Sequence, residues 1–314
     1  MTVLLTGAHG TVGTAVTATS AYDHVLLDRE PAPDELGDGS PHPHRGRETV
    51  VVDVGAEGAV GGLTDAMAEH GVTAVVHLAG DPTPSATYPS VERNNVRGTR
   101  NVLEAASRAG IGTVVFASSN HVVGMYETEY APGLYAPEGG PTVDHRSPIR
   151  PDSDYGASKA AGEAWCRLYA ERDGIDCYAL RIGSVRDPAF DHPFGDAERA
   201  VGAGECERGD DDYETAVARM RCTWLSRRDC AALVDACLDD GTDGRELETT
   251  NDGSEGETGD SAGEGNPDTV AGGAFEVFYG VSDNPNGWFD LSHARERVGY
   301  EPTDSGNAMS EPPA

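Results

Sequence analysis

Tyr155 and Lys159 are the residues of this chain whose types and spacing point most directly to chemistry. Of the 23 lysine and arginine residues in the 314-residue sequence, only Lys159 is a lysine. Residues four positions apart on a helix lie on the same face. A compact ammonium can approach a phenol and lower its pKa, and a planar guanidinium is not an equivalent replacement. The pair therefore predicts a tyrosinate that acts as a base on a substrate hydroxyl.

A third polar group is expected beside this pair. Ser119 follows a predicted strand at 114–116, within the run F-A-S-S-N-H of residues 116–121. Because ligand sites of parallel sheets form at the carboxyl ends of the strands, Ser119 is placed to hold the substrate oxygen. The sequence thus predicts a catalytic set of Ser119, Tyr155 and Lys159.

A glycine-rich turn lies between the first predicted strand and the helix after it. Its spacing is G-x-x-G-x-x-G at positions 7, 10 and 13. Such glycines let the backbone turn sharply and approach a diphosphate, and the helix that follows offers free N–H groups. The predicted contacts of a bound dinucleotide here are Gly7, His9, Gly10, Thr11, Val12 and Gly13.

Acidic residues at two strand ends are predicted to contact the adenosine half of that dinucleotide. Asp28 ends the second predicted strand, where a carboxylate accepts hydrogen bonds from ribose hydroxyls and repels a 2′-phosphate. This favours NAD over NADP. Arg29 could hold a 2′-phosphate, so NADP stays open, as does the alternative that Asp28 only starts a turn. Asp53 closes the next strand and can meet the adenine amino group. Further predicted cofactor contacts are Val54, Leu78, Ala79 and Gly80.

Strands and helices alternate in the pattern that positions these groups. This alternation predicts βαβ units and therefore an α/β fold, a Rossmann-type doubly wound parallel sheet. Strands are predicted at 3–5, 25–27, 50–52, 75–78, 114–116, 178–181 and 275–281, and helices at 12–19, 63–70, 90–109, 154–172 and 223–237.

Two units are expected along the chain. Residues 1–183 form the dinucleotide-binding domain, to which the strand at 275–281 returns, and residues 184–314 form a small substrate-binding region. Residues 191–215 and 241–272 are acidic and rich in glycine, with few apolar positions. Such composition predicts flexible insertions, the second of them disordered.

The net charge of −31 restricts the partners and the surroundings of the protein. It argues against nucleic acid, which needs cations to neutralise its phosphates, and against anionic membranes. An acidic surface that is poor in lysine indicates a halophilic protein. At about 1 M salt the screening length falls to roughly 3 Å, so a dense carboxylate surface no longer repels itself.

The remaining bulk features predict a cytoplasmic enzyme without a metal. No apolar run is long enough to cross a membrane, and a functional turn follows the first strand where a signal peptide would lie. The six cysteines form no C-x-x-C pair. We therefore expect reduced thiols in a core and predict no metal site.

These motifs together resemble the extended short-chain dehydrogenase/reductase family, also called the NAD-dependent epimerase/dehydratase family. The resemblance covers about residues 1–184: T-G-x-x-G-x-x-G, the acidic end of strand two, Asn95 followed by Gly98-Thr99, the serine pair 118–119, and Y-x-x-x-K. It implies the triad Ser119, Tyr155 and Lys159, with Asn95 in the central hydrogen-bond network. Asn95, Tyr155, Lys159 and Ile182 would also contact the cofactor.

Finer matches are similar to the sugar C1-dehydrogenases of that family. They are S-S-N-H-V-V-G at 118–124, R-I-G-S at 181–184 and T-W-L-S at 223–226. Uronate dehydrogenases, archaeal NAD-dependent glucose-6-phosphate dehydrogenases and archaeal aldose dehydrogenases share this pattern, and they oxidise a ring hemiacetal to a lactone. The resemblance implies substrate contacts for Ser119, Asn120, His121, Ser184 and Arg219.

Several alternatives remain open from the sequence. Arg221 is a rival to Arg219 for an anionic group of the sugar, and Asp81 departs from the uronate pattern because it would repel a carboxylate. A nucleotide-sugar epimerase or dehydratase would use the same triad, and a non-catalytic dinucleotide sensor would need only the cofactor site. Pairing of the helices at about 90–109 and 154–172 would give a homo-oligomer, as in this family.

Overall fold

Seven parallel strands build one sheet in the computed structural model. The structure describes residues 1–37, 39–137, 139–250 and 272–313, with only the backbone described for 242–250. The strand order is β3-β2-β1-β4-β5-β6-β7, and every pairing is parallel. The predicted α/β fold is therefore confirmed. The strands are β1 (Thr2–Thr6), β2 (Asp23–Asp28), β3 (Val50–Val51), β4 (Ala74–His77), β5 (Thr113–Ser119), β6 (Asp176–Ile182) and β7 (Phe275–Gly280).

Helices connect the strands and cover both faces of the sheet. A π-helical stretch at Glu92–Arg97 joins two of them into one continuous segment. Among the described residues, no helix is both long and apolar enough to cross a membrane. The helices are α1 (Thr11–Thr19), α2 (Ala59–Glu69), α3 (Tyr88–Val91), α4 (Gly98–Ala109), α5 (Gly124–Tyr130), α6 (Asp154–Asp173), α7 (Gly195–Ala203), α8 (Asp211–Thr223), α9 (Arg227–Thr250) and α10 (Ser292–Val298).

Alternate residues of each central strand enter opposite halves of the core, as strand geometry requires. In β1, Val3 and Leu5 face the layer that includes α1 and α9, and Leu4 faces the layer of α2, α4 and α6. All three side chains are fully buried. The near-continuous apolar strands found in the sequence follow from this burial on both faces.

The predicted helix at 223–237 begins later than its apolar pattern suggested. Trp224 is extended and forms a bridge with Ser184, and the Leu225 N–H donates to the Ser184 carbonyl. The Trp224 carbonyl accepts from the Ser282 N–H. Because these backbone groups are committed to tertiary hydrogen bonds, α9 starts at Arg227.

The acidic segment 191–215 contains regular structure, contrary to the prediction of a flexible insertion. It holds α7 and the start of α8, which pack on each other through Phe194, Ala197, Tyr213 and Val217. These four apolar residues are spread among acidic ones, so the composition of the segment hid a small core. Most of the predicted insertion at 241–272 lies outside the described residues.

The carboxyl ends of the strands open into one large cavity of about 1630 Å³. The chain order reverses between β1 and β4, which are neighbours in the sheet. Open parallel sheets bind their ligands at such a reversal, so the fold itself marks this edge as the site.

Candidate active site

The amino-terminal turns of α6 place Tyr155 and Lys159 at the cavity. The Ser153 hydroxyl caps this helix by accepting a hydrogen bond from the Gly156 N–H at 3.1 Å. Tyr155 and Lys159 are buried to 8% and 5% exposure, yet both line the cavity wall. The Lys159 Nζ donates to the Ala117 carbonyl of β5 at 2.7 Å and lies 5.9 Å from the centre of the Tyr155 ring.

The electrostatics of the protein alone keep the phenol protonated. Burial raises the pKa of Tyr155, while a hydrogen bond from the Ser119 hydroxyl lowers it. The negative charges of Asp81 and Asp152 raise it further. Burial lowers the pKa of Lys159 from 10.5 to about 8. A base at Tyr155 therefore requires positive charge brought next to the phenol.

A buried ion pair fixes α6 on the sheet one turn beyond Lys159. The Nε and Nη2 of Arg181 in β6 each donate to one carboxylate oxygen of Glu163 at 2.9 Å. The Ser118 hydroxyl donates to the same carboxylate at 2.6 Å, and the third Arg181 nitrogen donates to the Tyr279 hydroxyl. This network joins β5, β6, β7 and α6, and so holds the two reactive side chains in register with Ser119.

The glycine-rich turn leaves open space at the start of α1, where the predicted diphosphate would lie. A Cβ at Gly7 would lie 2.6 Å from the Ala79 nitrogen, and one at Gly13 would lie 2.4 Å from the Ala8 oxygen, so both must be glycine for the chain to pack. At Gly10, a Cβ would meet only the Gly7 oxygen at 3.5 Å and would point into open space. Gly10 is the N-cap of α1, whose first turn carries no acidic residue. An anion can therefore approach this helix end.

The adenosine end of the cavity contains the predicted acidic residues. The Asp28 carboxylate accepts hydrogen bonds from the His9 N–H at 3.0 Å and the Arg29 N–H at 2.7 Å. Asp53 pairs with Arg93 at 2.5 Å, and this hydrogen bond is the main reason why its pKa is lowered. Asp28 thus holds the glycine-rich turn in place, and its carboxylate has further lone pairs that could accept hydrogen bonds from ribose hydroxyls.

Asn95 is the predicted site residue that does not line the cavity. Its amide oxygen accepts from the Asp81 N–H at 2.7 Å, and its nitrogen donates to the Ser158 hydroxyl at 2.9 Å. It lies directly behind Gly80, where an added Cβ would be 3.0 Å from the Asn95 oxygen. The position agrees with a hydrogen-bond network behind the site, and direct contact of Asn95 with a cofactor stays a prediction.

The other predicted site residues meet at this single cavity, whichever sequence motif supplied them. Their contacts with a ligand remain predictions. Those that line the wall are Gly7, His9, Gly10, Thr11, Val12, Gly13, Asp28, Arg29, Asp53, Val54, Leu78, Ala79, Gly80, Ser119, Asn120, His121, Tyr155, Lys159, Ile182, Ser184 and Arg219.

His121 is held by a carboxylate that the sequence analysis did not single out. Its Nδ1 lies 2.7 Å from an Asp152 oxygen, and its ring meets the Tyr155 ring edge-on at 5.7 Å. A proton on Nδ1 facing Asp152 leaves Nε2 as an acceptor for a hydroxyl. Asp152 stands three residues before Tyr155 in the sequence, which is the one signal that could have revealed it.

The arginines of the cavity differ in how far their charge is neutralised. Arg219 donates through Nε and Nη2 to both oxygens of Glu127, at 2.6 and 3.1 Å. Arg186 pairs in the same bidentate way with Asp196. Arg199, which the sequence analysis also missed, lies 3.8 Å from the Asp196 carboxylate, and its side chain is 56% exposed. Arg221, the predicted rival of Arg219, instead donates to the Met309 carbonyl.

Comparison with known proteins shows to which family the chain belongs. The sequence profile of the NAD-dependent epimerase/dehydratase family matches residues 3–249, most of the chain. The chain belongs to this family. NAD is therefore the cofactor, as the sequence predicted, and its contacts with the glycine-rich turn and Asp28 remain predictions.

Several sugar dehydrogenases are similar to this chain in sequence or in structure. An NAD-dependent glucose-6-phosphate dehydrogenase of Haloferax volcanii is 36% identical, over 96% of this chain and 93% of the relative. An L-arabinose 1-dehydrogenase (NAD(P)(+)) of the same organism is 37% identical, over 73% of this chain and 78% of its own. The solved structure of a glucuronic acid dehydrogenase from Chromohalobacter salexigens superposes with a TM-score of 0.63 at 26% identity, over 98% and 85% of the two chains.

Proposed function

We propose that the protein is an NAD-dependent sugar 1-dehydrogenase that oxidises the ring hemiacetal of a sugar to a lactone. The observation that carries this proposal is the convergence of Ser119, Tyr155 and Lys159 at the carboxyl end of β5, on the wall that continues to the glycine-rich turn. The similarity to sugar dehydrogenases, over 96% and 73% of this chain, supports a sugar or a sugar phosphate as the substrate.

The chain supplies the proton chemistry of this reaction. The Ser119 hydroxyl donates to the oxygen at C1 of the sugar and holds it against Tyr155. The Tyr155 phenolate takes the proton of that hydroxyl, and the electrons of the broken O–H bond form the carbonyl of the lactone. When bound, oxidised NAD supplies the acceptor for the hydride that leaves C1. One C–H and one O–H bond break, so the sugar loses two electrons and two hydrogens.

Lys159 supplies one of the positive charges that the phenolate needs. Burial raises the pKa of Tyr155, so its proton leaves only if a cation stabilises the phenolate. The Lys159 ammonium is held near the ring by the Ala117 carbonyl. A tyrosine at its ordinary pKa near 10 would be a poor base at neutral pH, which is why the pair is required.

Arg199 is the cation best able to bind an anionic group on the sugar. The Arg219 guanidinium is occupied by the Glu127 carboxylate, and Arg186 by Asp196. Within the part of the chain that the structure describes, Arg199 makes only a distant contact with Asp196. An arginine with free donors can grip a phosphate or a carboxylate in bidentate geometry. A sugar phosphate or a uronate is therefore the substrate class that this part of the cavity suits best.

A substrate panel tests the reaction and the sugar class. Reduction of NAD and NADP would be followed in molar KCl with aldoses, aldose 6-phosphates and uronates, for the wild type and Tyr155→Phe. We expect turnover with NAD on one anionic class, and a loss of about 10²–10⁴-fold in kcat in the variant. No turnover on any sugar, together with NAD that copurifies tightly, would instead support an epimerase or dehydratase.

Replacing each cavity arginine separately tests which of them meets the anion. We expect Arg199→Met to raise KM for the preferred anionic sugar tenfold or more, since a charge-assisted hydrogen bond is worth about 1.5–3 kcal/mol. Arg219→Met leaves Glu127 unpaired and should lower the melting temperature as well. A selective rise of KM in Arg219→Met, with Arg199→Met unchanged, would assign the anion to Arg219.

A further inference from the structure

Three histidines come together behind the glycine-rich turn, outside the catalytic triad. His9 belongs to that turn, and His42 and His44 belong to the segment 31–47 that folds back over it. The three ring centres are 5.4–5.6 Å apart, and the rings face each other edge to face. One possible ligand nitrogen from each ring lies within 4.8 Å of the other two. The separation of His9 from the other two in the chain concealed this cluster from the sequence.

The hydrogen bonds allow a tautomer of His44 that leaves its Nδ1 without a proton. The Thr17 hydroxyl lies 3.1 Å from the Gly13 carbonyl, to which it can donate its single proton. It can then accept a hydrogen bond from the His44 Nε2, which lies 2.7 Å away. With the proton on Nε2, the Nδ1 of His44 carries a lone pair. That lone pair points at the Nδ1 of His9, at a distance of 3.2 Å.

The other two rings can present Nδ1 in the same way. The His42 Nδ1 accepts from the His44 N–H at 3.1 Å, so its Nε2 carries the proton and donates to the His9 carbonyl at 3.1 Å. The His9 Nε2 lies 3.1 Å from the Thr49 hydroxyl, which can accept its proton. Each Nε2 thus has an oxygen partner, the arrangement that orients histidine ligands of a metal.

The spacing of the nitrogens also suits a metal. Two nitrogens bound at 2.0–2.1 Å in tetrahedral geometry lie about 3.3 Å apart. This is close to the 3.2 Å between the His9 and His44 Nδ1 atoms.

We propose that His9, His42 and His44 form a binding site for a divalent transition metal of the zinc type, ligated through their three Nδ1 atoms. Imidazole is a preferred ligand of Zn²⁺ and its neighbours in the first row, and three histidines leave one position for water. A bound metal would lie between the Nδ1 atoms of His9 and His44, where a proton now lies. It would also take the place of the His44 N–H as the partner of the His42 Nδ1. Its role is structural, because it attaches the segment 31–47 to the turn that we propose holds the cofactor diphosphate.

Direct metal binding to the full-length chain tests this site. The protein would be freed of metal with a chelator in molar KCl and titrated with Co²⁺, whose visible spectrum reports coordination. We expect one equivalent per chain with a four- or five-coordinate spectrum, and X-ray absorption of the Zn²⁺-loaded wild type should count three imidazole ligands. Coordination by oxygen alone, or no stoichiometric binding, would overturn the proposal without any variant.

Variants then locate the metal. His42→Gln and His44→Gln should each weaken Co²⁺ binding at least tenfold and abolish the rise in melting temperature that the metal gives the wild type. His70→Gln, a histidine outside the cluster, should behave like the wild type. NAD binding by each variant verifies that the chain is folded. Unchanged affinity in both cluster variants would show that the metal binds elsewhere.

Discussion

The burial of the Lys159 ammonium lowers the free energy of unfolding of the protein. An ammonium at 5% exposure, held by one carbonyl, loses most of its hydration. The shift of its pKa from 10.5 to about 8 expresses that loss. Lys159, which we propose makes Tyr155 a base, is therefore expected to destabilise the folded protein at neutral pH when no cofactor is bound.

Replacing Lys159 by methionine tests this cost through its pH dependence. Between pH 8 and 10.5 the unfolded lysine is protonated and the folded one is not, so the unfolded state binds more protons and wild-type stability rises with pH. Below pH 8 both forms are protonated, and the cost of about 3 kcal/mol is fully present. We expect Lys159→Met to be more stable than the wild type at pH 7. The difference in their free energies of unfolding should become smaller towards pH 10.5.

The measurement is urea unfolding of both proteins in molar KCl from pH 6.5 to 10.5. The difference between the two curves cancels the titration of tyrosines and cysteines, which both proteins share. A difference that does not change with pH would mean that the folded Lys159 keeps an ordinary pKa. Activity should be lost in the variant at every pH.

At the scale of the elements, α6 connects the catalytic pair to the sheet through Glu163. The Arg181–Glu163 pair has side chains exposed to only 3% and 5%, and each group has one further hydrogen bond, from Ser118 to Glu163 and from Arg181 to Tyr279. A buried pair of this kind stabilises little compared with apolar packing, but losing one partner leaves the other charge uncompensated. The pair therefore acts mainly as a positioning device for α6.

Glu163→Gln should lower the free energy of unfolding by about 3–5 kcal/mol, because the Arg181 charge stays buried without its counter-ion. The matched control lies on the same helix: Glu171 pairs with Arg167 at 3.3 Å on the surface, and Glu171→Gln should cost no more than about 1 kcal/mol. Urea unfolding in molar KCl measures both. Similar small losses in the two variants would contradict the positioning role.

The sequence predicted the elements whose signals are local. The strands and the helices α1, α2, α4 and α6 were predicted from their apolar patterns. The glycine-rich turn predicted the residues at one end of the cavity, and Y-x-x-x-K predicted those at its centre. Contacts between distant residues could not be found in this way. Glu127 and Arg219 are 92 positions apart, so nothing in the sequence shows that this arginine is already paired. The fold of α7 and α8 was hidden because four apolar residues stand among many acids.

The whole molecule carries a net charge of −31, and we predict that this charge must be screened for the chain to stay folded. We expect the melting temperature and the activity to fall steeply below about 1 M KCl, since the screening length grows from roughly 3 Å at 1 M to about 10 Å at 0.1 M. Circular dichroism melts over this range would measure the effect. Sucrose at equal water activity is the control, because sucrose is excluded from the protein surface, as many salts are, but does not screen charge. An unchanged melting temperature in dilute buffer would contradict the halophilic interpretation.

The burial of the single lysine has a practical consequence for labelling. The amino groups of this sequence are the α-amino group and Lys159, and Lys159 lines the cavity that we propose holds the cofactor. Its lowered pKa leaves a larger fraction of its amine unprotonated at mildly alkaline pH than an exposed lysine would have. Modification of Lys159 that is blocked by the dinucleotide would then count occupied sites, with the α-amino group as the other amine to be discounted.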